Sequence, residues 1–437
     1  MRTQQPIAYR SIMGGVIGNL VEWYDWYVYS AFSLYFAPVF FPKNNLTGQL
    51  LSTSAIFAVG FLMRPLGSWL LGSYADRHGR KAALLLSVLM MCFGSLIIAL
   101  TPGYNRIGIC APILLVVARL IQGLSIGGEY GASAAYLSEI APAHRRGFYS
   151  SLQPMTFVVG QLFALSVLMV LQHYFLTTQE IELWGWRIPF FIGAILALVA
   201  LYMRRDMEET ADFSAIKKQK LHTNIKELCK YPRAIATAVG LTIGSTVAFY
   251  TYTTYMQKFM VNTMGFSKID ATLISSLSLL GYVFVVPLIG FLSDLIGRRP
   301  LVILFGVLGT VGTVPLLTFL SHTQNPFTAF VLIQCALLVL ACFTSIGAIV
   351  KAELFPAEVR ALGLGLPFAI TVSIFGGTAE YLALWLKNMG HESWFYWYIT
   401  GCIATTLMVG FFLYKEQPLA TEHEQKDEIS SLVLNQS

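Results

Sequence analysis

The sequence predicts an all-α membrane protein, with twelve transmembrane helices forming two pseudo-symmetric bundles of six. Three observations carry this. First, 56% of the 437 residues are hydrophobic and only 12% are charged, too few charges to cover a soluble protein of this size. Second, apolar windows of about 20 residues, the length that crosses a bilayer, recur along the chain. They lack the strict alternation of barrel strands, and lipid admits only helices or closed barrels. Third, a short charged knot occurs twice, "GSYADRHGRK" at 72–81 and "GFLSDLIGRR" at 290–299.

Span 1, 12–40, follows "MRTQQPIAYR", which has no signal-peptide cleavage signature. The span itself holds acids, so it reads as a retained helix. Span 2 (50–74) runs into the first knot and span 3 (82–101) leaves it. Span 4 (111–138) ends before "EIAPAHRRG", and span 5 (148–174) follows. "WGWRIPF" opens span 6 (186–204); its Trp184, Trp186 and Arg187 suit a membrane interface. A polar stretch, 204–233, then separates six spans from six. Spans 7 (233–260) and 8 (268–293) lead into the second knot and span 9 (300–320). Span 10 (326–349) precedes "ELFPAEVRALG", and spans 11 (361–387) and 12 (394–414) complete the set.

Two motifs recurring in the same order mark duplicated halves, in parallel orientation. The expected division is an N-terminal half (1–204), a cytoplasmic linker (205–232), a C-terminal half (233–414) and a cytoplasmic tail (415–437). Most Lys and Arg residues, Lys351 and Arg360 included, are assigned to loops on the side of the termini. The positive-inside rule then puts both termini in the cytoplasm. The net charge of +6 is spread over these short loops, which argues against nucleic acid as a partner. The six cysteines are scattered without a CxxC, so neither a metal site nor a disulfide framework is expected. No phosphate loop, no HExxH pair and no large soluble domain occur. An enzyme or ATP-driven pump is therefore not expected, and no cofactor is implied.

The knot resembles the loop signature of the major facilitator superfamily, through Gly72, Asp76, Arg77, Gly79, Arg80 and Lys81, and again through Gly290, Asp294, Gly297, Arg298 and Arg299. "NLVEWYDWYVY", "ARLIQGLSIGGEYG", "WGWRIPF" and "KAELFPAEVRALG" resemble its metabolite:proton symporter branch. The resemblance covers nearly the whole chain, least the linker and tail. It implies alternating access in a bacterial inner membrane, a functional monomer, and a gate at each knot. Asp76 would then face the start of span 11 near Arg360, and Asp294 the start of span 5 near Gly147, each at a positive helix end. The plainer reading makes the knots positive-inside anchors, which leaves the repeated Asp and Gly unexplained.

Charges inside spans are costly and usually face a cavity or a partner. Arg64, near the midplane of span 2, either grips a substrate carboxylate or pairs with Asp25 or Glu22. Glu22, Asp25 and Glu129 are candidates to carry a proton, because desolvation favours the protonated carboxyl and a nearby guanidinium the ionised one. A cytoplasmic-end ion pair is the alternative for Glu129. The resemblance adds Arg119 to proton coupling, against a structural pairing. Glu380 is a further candidate, against a structural role. In span 7, Tyr250 and Thr254 share a face, and Lys258 could meet an anion entering from outside; it could equally be an interfacial lysine. Gly14 with Gly18, and Gly123 with Gly127, have helix-packing spacing.

The resemblance implies proton-coupled import of a small organic anion, a dicarboxylate, α-ketoglutarate, as the expected function, and the basic residues Arg64, Arg119 and Lys258 would offset its charge. Citrate, shikimate or a zwitterionic osmolyte such as proline or betaine are alternative substrates. A channel or receptor is the rival class, and counterflow of preloaded label would separate it from a carrier.

Overall fold

A computed structural model describes residues 9–42, 45–78, 80–127, 141–205, 225–356 and 359–416. All regular structure among the described residues is helical. Among the described residues nine segments are long and apolar enough to cross a membrane, and Leu85–Leu100 and Cys110–Ile126 are shorter apolar helices. With Tyr9–Phe40 they account for the twelve predicted spans. Helix starts use ordinary caps. Asn45 accepts from Gly48 N, Ser267 from Asp270 N, and Asn325 from Phe327 N and Thr328 N, which satisfies first-turn donors. Pro232 and Pro326 stand at first helical positions, where a missing N–H costs nothing.

Packing repeats between the halves. Span 1 lies against spans 5 and 6, as span 7 lies against spans 11 and 12. Span 3 lies against spans 4 and 6, as span 9 lies against spans 10 and 12. The halves meet where span 5 runs along span 8 and span 2 along span 11. Outward faces keep Phe284, Leu288, Val311 and Leu198 exposed, the apolar cover that lipid requires.

The helices are interrupted at mid-depth. Span 2 consists of Leu46–Leu62 and Arg64–His78, broken at Met63; Pro65 follows and removes a donor. Span 7 holds a π-helical turn at Tyr250–Tyr255, and span 11 one at Val372–Gly376. Span 10 breaks between Pro326–Thr344 and Gly347–Ala352. Irregular backbone within a membrane belongs where it lines a cavity or is buried in protein, and π turns are frequent at functional sites.

Three expectations are corrected. The knots are not loops. Span 2 stays helical to His78 and span 8 to Ile296. The second knot turns at Gly297, whose φ of +86° favours glycine. Span 10 does not end at 349; its helix continues to Ala352 and carries Lys351, which is buried rather than in a loop. "WGWRIPF" is only partly interfacial. Trp184 is exposed, but Trp186 is buried among Phe36, Phe40 and Phe190, and Arg187 lies over it while donating to Thr101 O.

Candidate functional site: a two-cation cavity and its gates

A cavity lies between the halves, and the space between the helices of a bundle is a common place for a small-molecule site. Trp23 of span 1, Arg64 of span 2 and Gln153 of span 5 line it from one half. Tyr250 of span 7, Lys351 of span 10 and Phe368 of span 11 line it from the other. The breaks in spans 2, 7, 10 and 11 all fall beside it.

Arg64 is buried, with its guanidinium 4.0 Å from the Phe61 ring centre and 4.5 Å from that of Trp26. Such stacking suits a planar cation. Its Nε and Nη2 make no hydrogen bond, and Tyr250 lies beside it. The two acids expected as internal partners are engaged elsewhere. Glu22 accepts from Ser87 Oγ at 3.1 Å, and Asp25 accepts from Ser95 Oγ and from Gln122 Nε2. A buried cation with unused donors on a cavity wall is a place for an anion. Lys351 lies on the same cavity with Nζ 4.3 Å from the Phe368 ring centre.

Asp25 belongs to a separate buried network within the first half. Gln122 Nε2 donates to Asp25 Oδ2 at 3.2 Å and to Ser95 Oγ at 2.9 Å, and Arg119 Nη1 donates to Gln122 Oε1 at 2.9 Å. Arg119 stacks on Trp26 and Tyr29. Gly193 of span 6 leaves room for Asp25 Oδ1, which a Cβ there would strike.

Two of the span 7 candidates lie away from this cavity. Thr254 is buried beside Thr253, and neither Thr254 nor Lys258 lines the cavity. Lys258 is turned to Glu380 at 2.7 Å and donates to Ser30 Oγ at 2.6 Å. Taking a lone ammonium out of water is costly, and a carboxylate from span 11 offsets that cost. Glu380 is thereby part of an ion pair rather than a lone acid.

At the end of the bundle that carries the knots, Asp294 accepts from Gly147 N at 2.7 Å and Phe148 N at 3.0 Å. These are first-turn donors of span 5, Arg146–Val170, where a negative charge is favoured. Spans 5 and 8 approach closely there, since a Cβ on Gly290 would sit 2.8 Å from Gly147 O. Arg298 pairs with Glu353, to which Tyr414 Oη also donates. Arg360 Nε donates to Phe355 O at 3.4 Å. Gly123 and Gly127 meet the span 2 backbone at Gly60 and Arg64. Glu129 and Gly79 lie outside the described residues, as do the side chains of Asp76, Arg77 and Arg80, the packing of Gly72, and that of Gly14 and Gly18.

The family model described as "Sugar (and other) transporter" matches residues 12–224 and 205–428. The chain belongs to this family of the major facilitator superfamily. As a sugar (and other) transporter family member it is a multi-pass membrane transporter and not an enzyme. It is 51% identical to the alpha-ketoglutarate permease of Escherichia coli (strain K12), over 93% of this chain and 94% of that protein. It is 33% identical to the proline/betaine transporter of the same organism, over 86% of this chain and 77% of that one. In three dimensions it resembles the crystal structure of a D-xylose-proton symporter, with a TM-score of 0.75 at 21% identity, over 95% of this chain and all of that one.

Sequence reasoning found Arg64 and Tyr250 of this family member's cavity but missed Lys351 and Gln122. Lys351 stands two residues past the predicted end of span 10, where a lysine reads as a loop anchor. The available signal was "GAIVKAELFP" at 347–356, in which Lys351 is flanked by apolar residues and the first helix breaker is Pro356. Gln122 is neutral, so a search for intramembrane charges passes over it.

Proposed function

We propose that the protein is a proton-coupled symporter that imports a small dicarboxylate, α-ketoglutarate, by alternating access. One observation carries this reading: a single cavity between the halves presents Arg64 from the first and Lys351 from the second. A molecule with a carboxylate at each end engages both cations at once and draws the halves together. The bidentate guanidinium suits one carboxylate and the lysine the other. The identity to a protein named alpha-ketoglutarate permease supports the same substrate. A betaine-like osmolyte offers one carboxylate and brings its own cation, which two buried cations repel.

Asp25, within reach of the Arg119 charge through Gln122, carries the coupled proton. Glu22, one turn before Asp25 on span 1, serves its release, and Glu129 is the further sequence candidate for that step. Residues 1–204 and 233–414 move as the two rocking units, with both termini cytoplasmic, in a bacterial inner membrane, as a monomer. The two knots are gates, with Asp294 on the start of span 5 and, by symmetry, Asp76 on the start of span 11.

The test is uptake of labelled organic acids into proteoliposomes with and without an inward proton gradient. Accumulation of α-ketoglutarate above its outside concentration, only with the gradient, is expected, with proline, betaine and shikimate far slower. Gradient-independent α-ketoglutarate uptake would remove symport, and preference for an osmolyte would remove the dicarboxylate reading. For the gate, Asp294→Asn removes a charge facing two N–H donors. It should loosen the cytoplasmic contact by about 1–2 kcal/mol, roughly a tenfold change in the balance of states. The measurable result is a several-fold change in transport rate at equal membrane level; an unchanged rate would leave the knot as an anchor only.

A further inference from the structure

We propose that Gln122 is the positioning residue of the proton site, relaying the Arg119 charge to Asp25 and so setting the pH range of proton-driven transport. The inference rests on the reading of Asp25 as proton carrier and adds how its environment is set. Arg119, Gln122, Ser95 and Asp25 are each at most 1% exposed, so bulk water does not set their charges. Among the described residues Arg119 donates through Nη1 to Gln122 Oε1 while its Nε and Nη2 make no hydrogen bond, and the same amide donates through Nε2 to Asp25 Oδ2 and Ser95 Oγ. A primary amide is suited to this place because it accepts from a guanidinium at one end and donates to a carboxylate at the other. The guanidinium polarises the amide, and a polarised donor strengthens the next bond. Ser95 gives its single proton to Asp25, so its oxygen is left to accept from Gln122. All three bonds of this small ring are thereby fixed in direction.

The two oxygens of Asp25 differ as a result. Oδ2 receives both donors, while Oδ1 has no hydrogen-bond partner and faces Gly193 of span 6. The incoming proton goes to Oδ1, the oxygen whose lone pairs are unused. Every helix around the site contributes to this arrangement. Span 1 adds the neighbouring Tyr24 and, one turn below, Glu22; span 3 adds Cys92, whose Sγ donates to Ala194 O. Span 4 adds Arg119, and span 6 presents a bare backbone at Gly193. Gly94 of span 3 seats Gln122, because a Cβ there would lie 2.5 Å from its Cγ. Span 2 adds Arg64, which stacks on the Trp26 ring that Arg119 also covers, and span 1 adds Tyr29 against Arg119; of the two cations Arg119 is the one bonded to Gln122, which stands in its path to Asp25.

The test uses the full-length protein in proteoliposomes and reads the KM for labelled α-ketoglutarate against pH, at equal protein incorporation. Gln122→Met removes the relay and a donor from Asp25. Its profile midpoint should move up by about one pH unit, with maximal exchange rate changed far less. The isosteric Gln122→Glu keeps the shape and the acceptor for Arg119 but faces Asp25 with an acidic oxygen. It should move the midpoint in the same direction, and it keeps the shape and the Arg119 bond that the methionine variant loses, so a folding defect confined to the methionine variant leaves the test intact. Midpoints unchanged in the variants that insert would overturn the proposal, since a purely structural glutamine alters amount or rate without moving the profile. Asp25→Asn separates this from the parent reading. If that variant still accumulates substrate on a proton gradient, Asp25 is not the carrier; if it does not, the Gln122 profiles decide the relay alone.

Discussion

Replacing Arg64 with methionine is expected to lower α-ketoglutarate uptake by about 100-fold or more, with the protein still inserted in the membrane. The side chain has little structural work to lose. Its hydrogen-bonding edge is largely unused, and its stem and ring contacts with Phe61 and Trp26 are kept in part by a flexible thioether. What disappears is the partner of a desolvated carboxylate. Truncating one member of such a pair costs about 2–5 kcal/mol, and each 1.4 kcal/mol is about tenfold. Lys351→Met should fall in the same range, because each cation takes one end of the same molecule. Arg64→Lys should recover only part of the loss, since a point charge cannot reproduce the planar fork. A monocarboxylate inhibitor should be weakened by one of the two substitutions and spared by the other. Uptake by Arg64→Met within twofold of the parent would remove Arg64 from the binding site.

Asp25→Asn should abolish accumulation while leaving exchange. The amide occupies the same space against Gly193 and can accept from Ser95, but it cannot take up and give off a proton. Each coupled proton supports about tenfold accumulation at a gradient of one pH unit. In the variant the ratio of inside to outside substrate should settle near one whatever the gradient. Counterflow of preloaded label should persist at a rate within about tenfold of the parent, because the Arg64 and Lys351 cavity is untouched. Accumulation that still follows the proton gradient would assign the proton to another acid, with Glu22 and Glu129 next in line.

Much of this architecture is legible in the sequence because lipid leaves the chain few choices. Twelve apolar windows and a doubled knot define helices and repeat without any tertiary information. The site is legible in part. A charge in hydrocarbon announces itself, so Arg64, Asp25 and Arg119 stand out. Which charges meet each other depends on how helices far apart in sequence pack, and no spacing rule gives that. Lys258 and Glu380 lie 122 positions apart yet form one ion pair, so the lysine expected to meet substrate is already occupied. Lys351 was hidden by an end of span 10 misplaced by three residues, one turn of helix being enough to carry a side chain from water into the protein. Gln122 was hidden by its neutrality, though its position three residues after Arg119 puts it one turn away on the same face.

The Lys258–Glu380 pair has a consequence for how membrane voltage acts on the carrier. Both charges belong to the second half, on spans 7 and 11, and among the described residues the hydroxyl of Ser30 is the first-half group that bonds to them. When the outer ends part, the ammonium and carboxylate travel together, so neither is stranded in hydrocarbon. A couple with no net charge experiences no net push from the electric field, which is otherwise worth about 2.3 kcal/mol per elementary charge per 100 mV. The field is thus left to act on the mobile passengers, cargo and proton, and not on this piece of the scaffold.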